Sequence, residues 1–249
     1  MKRLELNNLS MSFEAKTVFK QLNMTIHEGE FVSILGPSGS GKSTIFHLIG
    51  GMLHPDEGSI TLNDKDITGQ KGHISYMPQA PSLFPWRTVL ENVLLIQEIN
   101  GKKDKSLALE MLNKAGLSSY ADATPDELSG GMKQRVSFVR ALMSPMPLLL
   151  LDEPFGALDE LTRLEMQKWL LSLWSMDKRT VLFITHNIDE ALYLSDRIYI
   201  LPSNPNGKLM EVKVPFPRPR ADDLWLNQDF LEWKKDIYYK LKPSEGYSK

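Results

Sequence analysis

Phe31-Val32-Ser33-Ile34-Leu35-Gly36-Pro37-Ser38-Gly39-Ser40-Gly41-Lys42-Ser43-Thr44 is the stretch that decides the fold. Its second part fits G-x-x-x-x-G-K-[ST], and the flanks suit that pattern: an apolar strand segment before it, helix-forming Ser43 to Gly50 after it. Glycines let the backbone curl until successive N–H groups point inward around a phosphate. The N-terminus of the following helix adds partial positive charge. Lys42 is placed to reach the β- and γ-phosphates, and the Ser43 hydroxyl to meet Mg2+. Residues Gly36, Pro37, Ser38, Gly39, Ser40, Gly41, Lys42, Ser43 and Thr44 therefore imply binding of a nucleoside triphosphate.

Outward from this loop the chain reads as strands alternating with helices. Leu4-Glu5-Leu6-Asn7-Asn8-Leu9 and Val18 to Ile26 show period-two alternation, with Phe13 expected in the turn between them. Gly58 to Asn63 and His73 to Met77 read as further strands. From Thr88 to Met143 the rhythm is helical, with Val89, Val93 and Ile96 at spacings of four and three. Leu148-Leu149-Leu150-Leu151-Asp152 is continuously apolar, as a strand covered on both faces should be. A helix Leu161–Trp174, a strand Thr180–Ile184, a short helix after His186 and a strand Arg197–Leu201 complete an α/β pattern with a mostly parallel sheet. Pro215 to Arg220 reads as an extended linker, followed by a helix whose Leu226, Phe230, Trp233, Ile237 and Leu241 share one face.

Composition narrows the class. With 249 residues, 42% hydrophobic and 24% charged, the chain is an ordinary globular protein with ample length for a core. A net charge of −2 gives no reason to expect nucleic acid as partner. The absence of cysteine excludes disulfides and thiolate metal sites. Met1-Lys2-Arg3-Leu4-Glu5 turns polar too soon for a signal peptide, and no apolar run nears the ~20 residues that span a bilayer. The expectation is a cytosolic chain with at most peripheral membrane contact.

A phosphate loop alone serves kinases, GTPases and many motors. What separates these here is Leu128-Ser129-Gly130-Gly131-Met132-Lys133-Gln134-Arg135, lying between the phosphate loop and Leu148–Glu153. Ser129, Gly130 and Gly131 at a helix start form a second place where backbone donors can meet a phosphate. In this order the motifs resemble the ATP-binding-cassette (ABC) ATPases over nearly the whole chain. The resemblance implies a P-loop cassette: a RecA-like, mostly parallel core, an N-terminal antiparallel β part and an inserted helical subdomain. It divides the chain into 1–87, the first part of the nucleotide core; 88–143, the helical subdomain; 144–214, the rest of the core; and 215–249, linker and C-terminal helix.

The resemblance also implies roles. Asp152 matches the carboxylate that helps hold Mg2+, with Ser43 and Gln79, and Glu153 matches the general base for the attacking water. His186 matches the switch histidine at the γ-phosphate, and Gln79 the glutamine that senses Mg2+ and water. Phe13 stands where an aromatic residue, often tyrosine, stacks on adenine. Ala157-Leu158-Asp159 resembles the loop at the dimer interface, where Ser129 of one subunit completes the phosphate site of the other. ATP would thus hold a homodimer together. Ser82-Leu83-Phe84-Pro85-Trp86-Arg87-Thr88-Val89-Leu90-Glu91-Asn92-Val93 and Pro217-Arg218-Pro219-Arg220 resemble segments of the nitrate, sulfonate and taurine importer ATPases, a group that also serves thiamine-precursor pyrimidines. Phe84, Pro85 and Trp86 are then expected to couple to an integral membrane permease, with a solute-binding protein as indirect partner, at the cytoplasmic face of the membrane. Two other readings stay open: a soluble ABC ATPase acting on nucleic acid or ribosomes, and an exporter subunit. A single cassette without basic extensions or heptad arrays disfavours the first.

Overall fold

The structure, a computed structural model, describes residues 2–14, 16–156 and 158–242. Ala157 and the last seven positions of the 215–249 segment lie outside the described residues. In chain order the elements are β1 (Lys2–Phe13), β2 (Lys16–His27), β3 (Phe31–Leu35), α1 (Lys42–Ile49), β4 (Glu57–Leu62), β5 (Lys65–Asp66) and β6 (Ser75–Met77). Then follow α2 (Val89–Ile99), α3 (Lys105–Lys114), α4 (Gly130–Leu142), β7 (Leu148–Asp152) and α5 (Glu160–Asp177). The chain closes with β8 (Thr180–Thr185), α6 (Ile188–Leu194), β9 (Arg197–Ile200), β10 (Met210–Lys213) and α7 (Gln228–Leu241). They group into two compact units, Met1–His73 with Asp177–Lys249, and Ile74–Met176.

The first unit holds an antiparallel sheet in the order β2-β1-β4-β5. Its alternation is plain in β1, where Leu4 and Leu6 are buried and Asn7 is exposed. Phe13 does not lie in the turn. It is the last residue of β1, paired with Lys16, and the chain reverses at Glu14, whose φ is +51°. Beside this sheet β3 runs parallel to β8 on one side and to β9 on the other, and β10 adds an antiparallel edge. Every residue of β3 and of β8 is buried, which explains why their sequences are mostly apolar, broken only by Ser33, Thr180 and Thr185, rather than alternating.

In the second unit β6 and β7 pair in parallel, Tyr76 opposite Leu150. α2, α3 and α4 share one core in which Val89, Val93, Leu112, Val136 and Val139 are fully buried. α2 starts cleanly because Thr88 accepts from the Glu91 N–H while the Glu91 side chain accepts from the Thr88 N–H.

Residues 215–220 carry no helix or strand, as their prolines dictate, yet they are not a free tether. Arg220 is buried, and both Arg218 and Arg220 are hydrogen-bonded to backbone around the end of α6. In α7 the buried residues are Phe230 and Ile237. Leu226 falls outside the helix and is exposed, so the expected apolar stripe is shorter than its sequence spacing.

Candidate functional site

The phosphate loop leaves the carboxyl end of β3, the position where open parallel sheets bind ligands. Two of its glycines are dictated by space. A Cβ on Gly36 would lie 2.8 Å from Ser40 Oγ and 3.0 Å from the Leu201 carbonyl oxygen, and one on Gly41 only 2.5 Å from Val18 Cγ1. Gly41 also takes a φ of +94° and, as N-cap of α1, offers no side chain to the first-turn N–H groups. Those donors are left for solvent or an anion. The buried Lys42 folds back so that Nζ donates to the carbonyls of Gly36 and Pro37, both at 2.9 Å. Ser40 Oγ is buried and has no hydrogen-bond partner, although an unmatched buried hydroxyl is costly. A phosphate oxygen in the loop would satisfy it. Ser38 and Ser43 are exposed, and Thr44 is partly buried.

Also in this unit, Phe13 presents a ring that is 46% exposed at the end of β1, a free aromatic face for stacking. His186 is exposed in the two-residue link between β8 and α6.

The second unit gathers the expected carboxylates. Asp152, buried at the end of β7, accepts from the Tyr76 hydroxyl at 3.2 Å. Burial and the Asp152 charge push the Tyr76 phenol far above its ordinary range, so it stays protonated and keeps one oxygen of Asp152 oriented. Glu153 follows with φ +43°, in the left-handed region, and its Oε2 accepts from Gln79 Nε2 at 3.2 Å. Gln79 and Glu153 are thus brought together from 74 residues apart. Ser129 caps α4, its Oγ accepting from the Met132 N–H at 3.3 Å, and Ser129 and Gly130 are exposed. A Cβ on Gly131 would meet Leu158 at 3.4 Å, so this loop lies against the residue before Asp159. Asp159 caps α5 through the Thr162 N–H, and its bond to Thr162 holds the carboxyl below the usual range.

The turn before α2 is rigid. Buried Asn92 accepts from the Phe84 N–H at 2.8 Å and donates to the carbonyls of Phe84, Arg87 and Thr88. Arg140 holds the carbonyls of Pro81 and Ser82, and Pro85 stiffens the bend. Phe84 packs on Trp86 with ring centroids 5.1 Å apart, and Trp86 is 73% exposed. In the sequence Asn92 stands out only as part of a motif, and Tyr76 only as a strand residue. Its signal was available, a tyrosine two residues before Pro78-Gln79, but its partner was not.

Among the described residues no group of three or more His, Cys, Asp or Glu side chains could form a metal cage. Ser43 in the first unit and Asp152 in the second each carry a hard oxygen donor, the ligand type that suits Mg2+.

Residues 19–156 match the family model for ABC transporters. The chain is 45% identical over 240 residues to the formylaminopyrimidine import ATP-binding protein ThiZ of Halalkalibacterium halodurans, covering 94% of each chain. It is 40% identical to the aliphatic sulfonates import ATP-binding protein SsuB of Bacillus cereus, covering 96% of each. Its structure resembles the dimeric cassette MJ0796 in a post-hydrolysis state with ADP and Pi, with a TM-score of 0.73 and 34% identity over 86% of this chain and all of that one.

Proposed function

Because this chain belongs to the ABC transporter family, we propose that it is the ATP-hydrolysing subunit of an importer for a small solute. It binds ATP and hydrolyses it as a dimeric cassette that works with a membrane permease. None of the described helices is long and apolar enough to cross a membrane; the likeness to an import ATP-binding protein is what supports peripheral attachment, at the cytoplasmic face.

Hydrolysis needs an aligned water and neutralisation of γ-phosphate charge, with little covalent chemistry from the protein. The backbone N–H groups of residues 38–44 and Lys42 hold the β- and γ-phosphates, the otherwise unmatched Ser40 hydroxyl donates to a phosphate oxygen, and Phe13 stacks on adenine. Mg2+, held by Ser43, Asp152 and Gln79, would supply further positive charge at the phosphates. Glu153, steadied by Gln79, orients the water and accepts its proton. His186 donates to the γ-phosphate. Ser129, Gly130 and Gly131 of one subunit close the site of the other across the Asp159 loop. The helical part, 88–143, carries that closing loop, and Phe84, Pro85 and Trp86 carry the movement to the permease. A solute-binding protein delivers the solute outside. The substrate belongs to the class of formylaminopyrimidines, sulfonates and similar small polar molecules.

The observation that carries this reading is the likeness to import ATP-binding proteins over 94–96% of the chain. The test is uptake by cells that lack this chain. Uptake of a labelled formylaminopyrimidine or alkane sulfonate should be lost, then restored by the wild-type chain and not by Lys42→Ala. Unchanged uptake of both classes overturns the proposed substrate range, and absence of ATPase activity in the purified chain overturns the enzyme.

A further inference from the structure

α6 stands directly behind His186, and the C-terminal segment fastens it at both ends. At the first end, Thr185 Oγ1 donates to Glu190 and accepts the Asn187 N–H at 3.0 Å. Asn187 Oδ1 accepts the Asp189 N–H at 2.8 Å and the Glu190 N–H at 3.4 Å. His186 therefore sits between two residues whose side chains are tied into the first turn of α6. Asp189 Oδ2, in that turn, accepts from Lys234 Nζ of α7 at 2.7 Å.

At the far end, Arg220 Nε donates to the Tyr193 carbonyl at 3.1 Å and Nη2 to the Ser195 carbonyl at 2.5 Å. Arg218 donates to the Leu194 carbonyl at 2.5 Å and, through Nε, to Asp196 Oδ1 at 2.6 Å. The second oxygen of Asp196 accepts the N–H of Phe31 at 2.9 Å, the first residue of the strand that delivers the phosphate loop. These bonds run from α7 through α6 to the base of β3.

A helix end is ordinarily satisfied by water or a glycine turn. Here two rigid guanidinium forks take the last carbonyls, and one of them is only 9% exposed. Burial, with Arg218 nearby, pushes the Arg220 pKa down to about 10, so the group is still charged at neutral pH. A buried charge is a costly way to end a helix but an accurate way to fix its direction. Phe230 and Ile237 are the buried apolar residues of α7, whereas Lys234 reaches α6 through a polar bond at a partly exposed position.

We propose that residues 215–242 form a clamp that sets the pose of α6 and of the His186 loop, with Arg220 and Lys234 as positioning residues for ATP hydrolysis. The inference rests on His186 acting at the γ-phosphate, as proposed above.

The test compares steady-state ATP hydrolysis and Tm of the full chain as wild type, His186→Ala, Lys234→Ala, Asp189→Asn, Arg220→Lys and Arg220→Ala. Lys234→Ala and Asp189→Asn should each lower kcat about fivefold, a coupling effect of ordinary size, with KM for ATP unchanged. Their Tm should hardly move, because a half-exposed ion pair contributes little stability. Arg220→Lys keeps the charge without the fork and should lose about tenfold in kcat, with Arg220→Ala lower still. Adding Lys234→Ala to His186→Ala should change nothing further, since both act through one histidine. Wild-type kcat in Lys234→Ala and Arg220→Lys, beside an inactive His186→Ala, overturns the clamp and leaves the function standing. Losses of kcat that follow Tm, or that add to His186→Ala, also overturn it. Full activity of His186→Ala overturns the role of the histidine, and the clamp with it. Should Arg220→Ala fail to fold, Lys234→Ala and Asp189→Asn carry the result.

Discussion

Glu153 takes a φ of +43°, a conformation that costs a residue with a Cβ on the order of 1 kcal/mol. The residue before it, Asp152, is pinned by Tyr76, and its own carboxylate is held by Gln79. Such strain is tolerated where direction matters more than stability. Glu153→Gln keeps the shape and the contact with Gln79 but removes the proposed proton acceptor. It should bind ATP as well as wild type while hydrolysis falls by about a hundredfold or more. Lys42→Ala should instead weaken nucleotide binding, read by fluorescent-nucleotide titration. Turnover by Glu153→Gln within a few-fold of wild type would reject the role of that carboxylate. At this scale the phosphate loop was legible because its spacing is local. The grip of Tyr76 on Asp152 was not, because it joins residues 76 positions apart across the β6–β7 pair. Nor was the φ of Glu153 legible, since nothing in its residue type announces a left-handed backbone.

Among the elements, α4 shows one residue serving two ends. The Ser129 hydroxyl caps the helix, and the same exposed loop is the one proposed to offer amides to the phosphate of a partner subunit. Ser129→Arg should remove the cap, at about 1 kcal/mol, and lower Tm by a few degrees. It should also abolish the ATP-dependent dimer in the Glu153→Gln background, because bulk and positive charge enter where phosphate must fit. Ser129→Asn restores a cap without the bulk and should recover the Tm. Light scattering that still finds a dimer of the Glu153→Gln, Ser129→Arg protein with ATP defeats the proposed interface. The strands β3, β7 and β8 were legible from their unbroken apolar runs, and α2 from its spacing. β10 was missed because Met210-Glu211-Val212-Lys213 buries only Val212 and pairs on one side alone. The segment Pro215–Arg220 was read as a linker because prolines announce extended backbone, whereas arginines that end inside the protein look, in sequence, like solvated ones.

For the molecule as a whole, the question is how closure at ATP reaches a partner that the nucleotide never touches. The net charge is only −2, and none of the described helices is long and apolar enough to cross a membrane. Trp86 is the proposed handle. Leaving a 73% exposed indole in water is unfavourable, yet four hydrogen bonds from Asn92 and two from Arg140 hold its turn rigid around it. A rigid, apolar, outward tryptophan is the kind of anchor that fills a pocket on another protein. The turn begins a few residues after Gln79, which contacts Glu153, so a change at the carboxylate has a short covalent route to it. Trp86→Ala should therefore leave ATP binding by the isolated subunit intact, weaken copurification with the permease and uncouple hydrolysis from uptake. A core tryptophan would cost ~3–5 kcal/mol on truncation, but a mostly exposed one whose described ring contact is Phe84 costs far less, about 0.5–1 kcal/mol. Tm should hence stay within a few degrees of wild type. Asn92→Ala offers the complementary reading: it keeps the indole but frees the turn, and should weaken permease binding together with Tm. Undiminished assembly and uptake with Trp86→Ala would show that the exposed ring is not the handle, and that coupling leaves the molecule elsewhere.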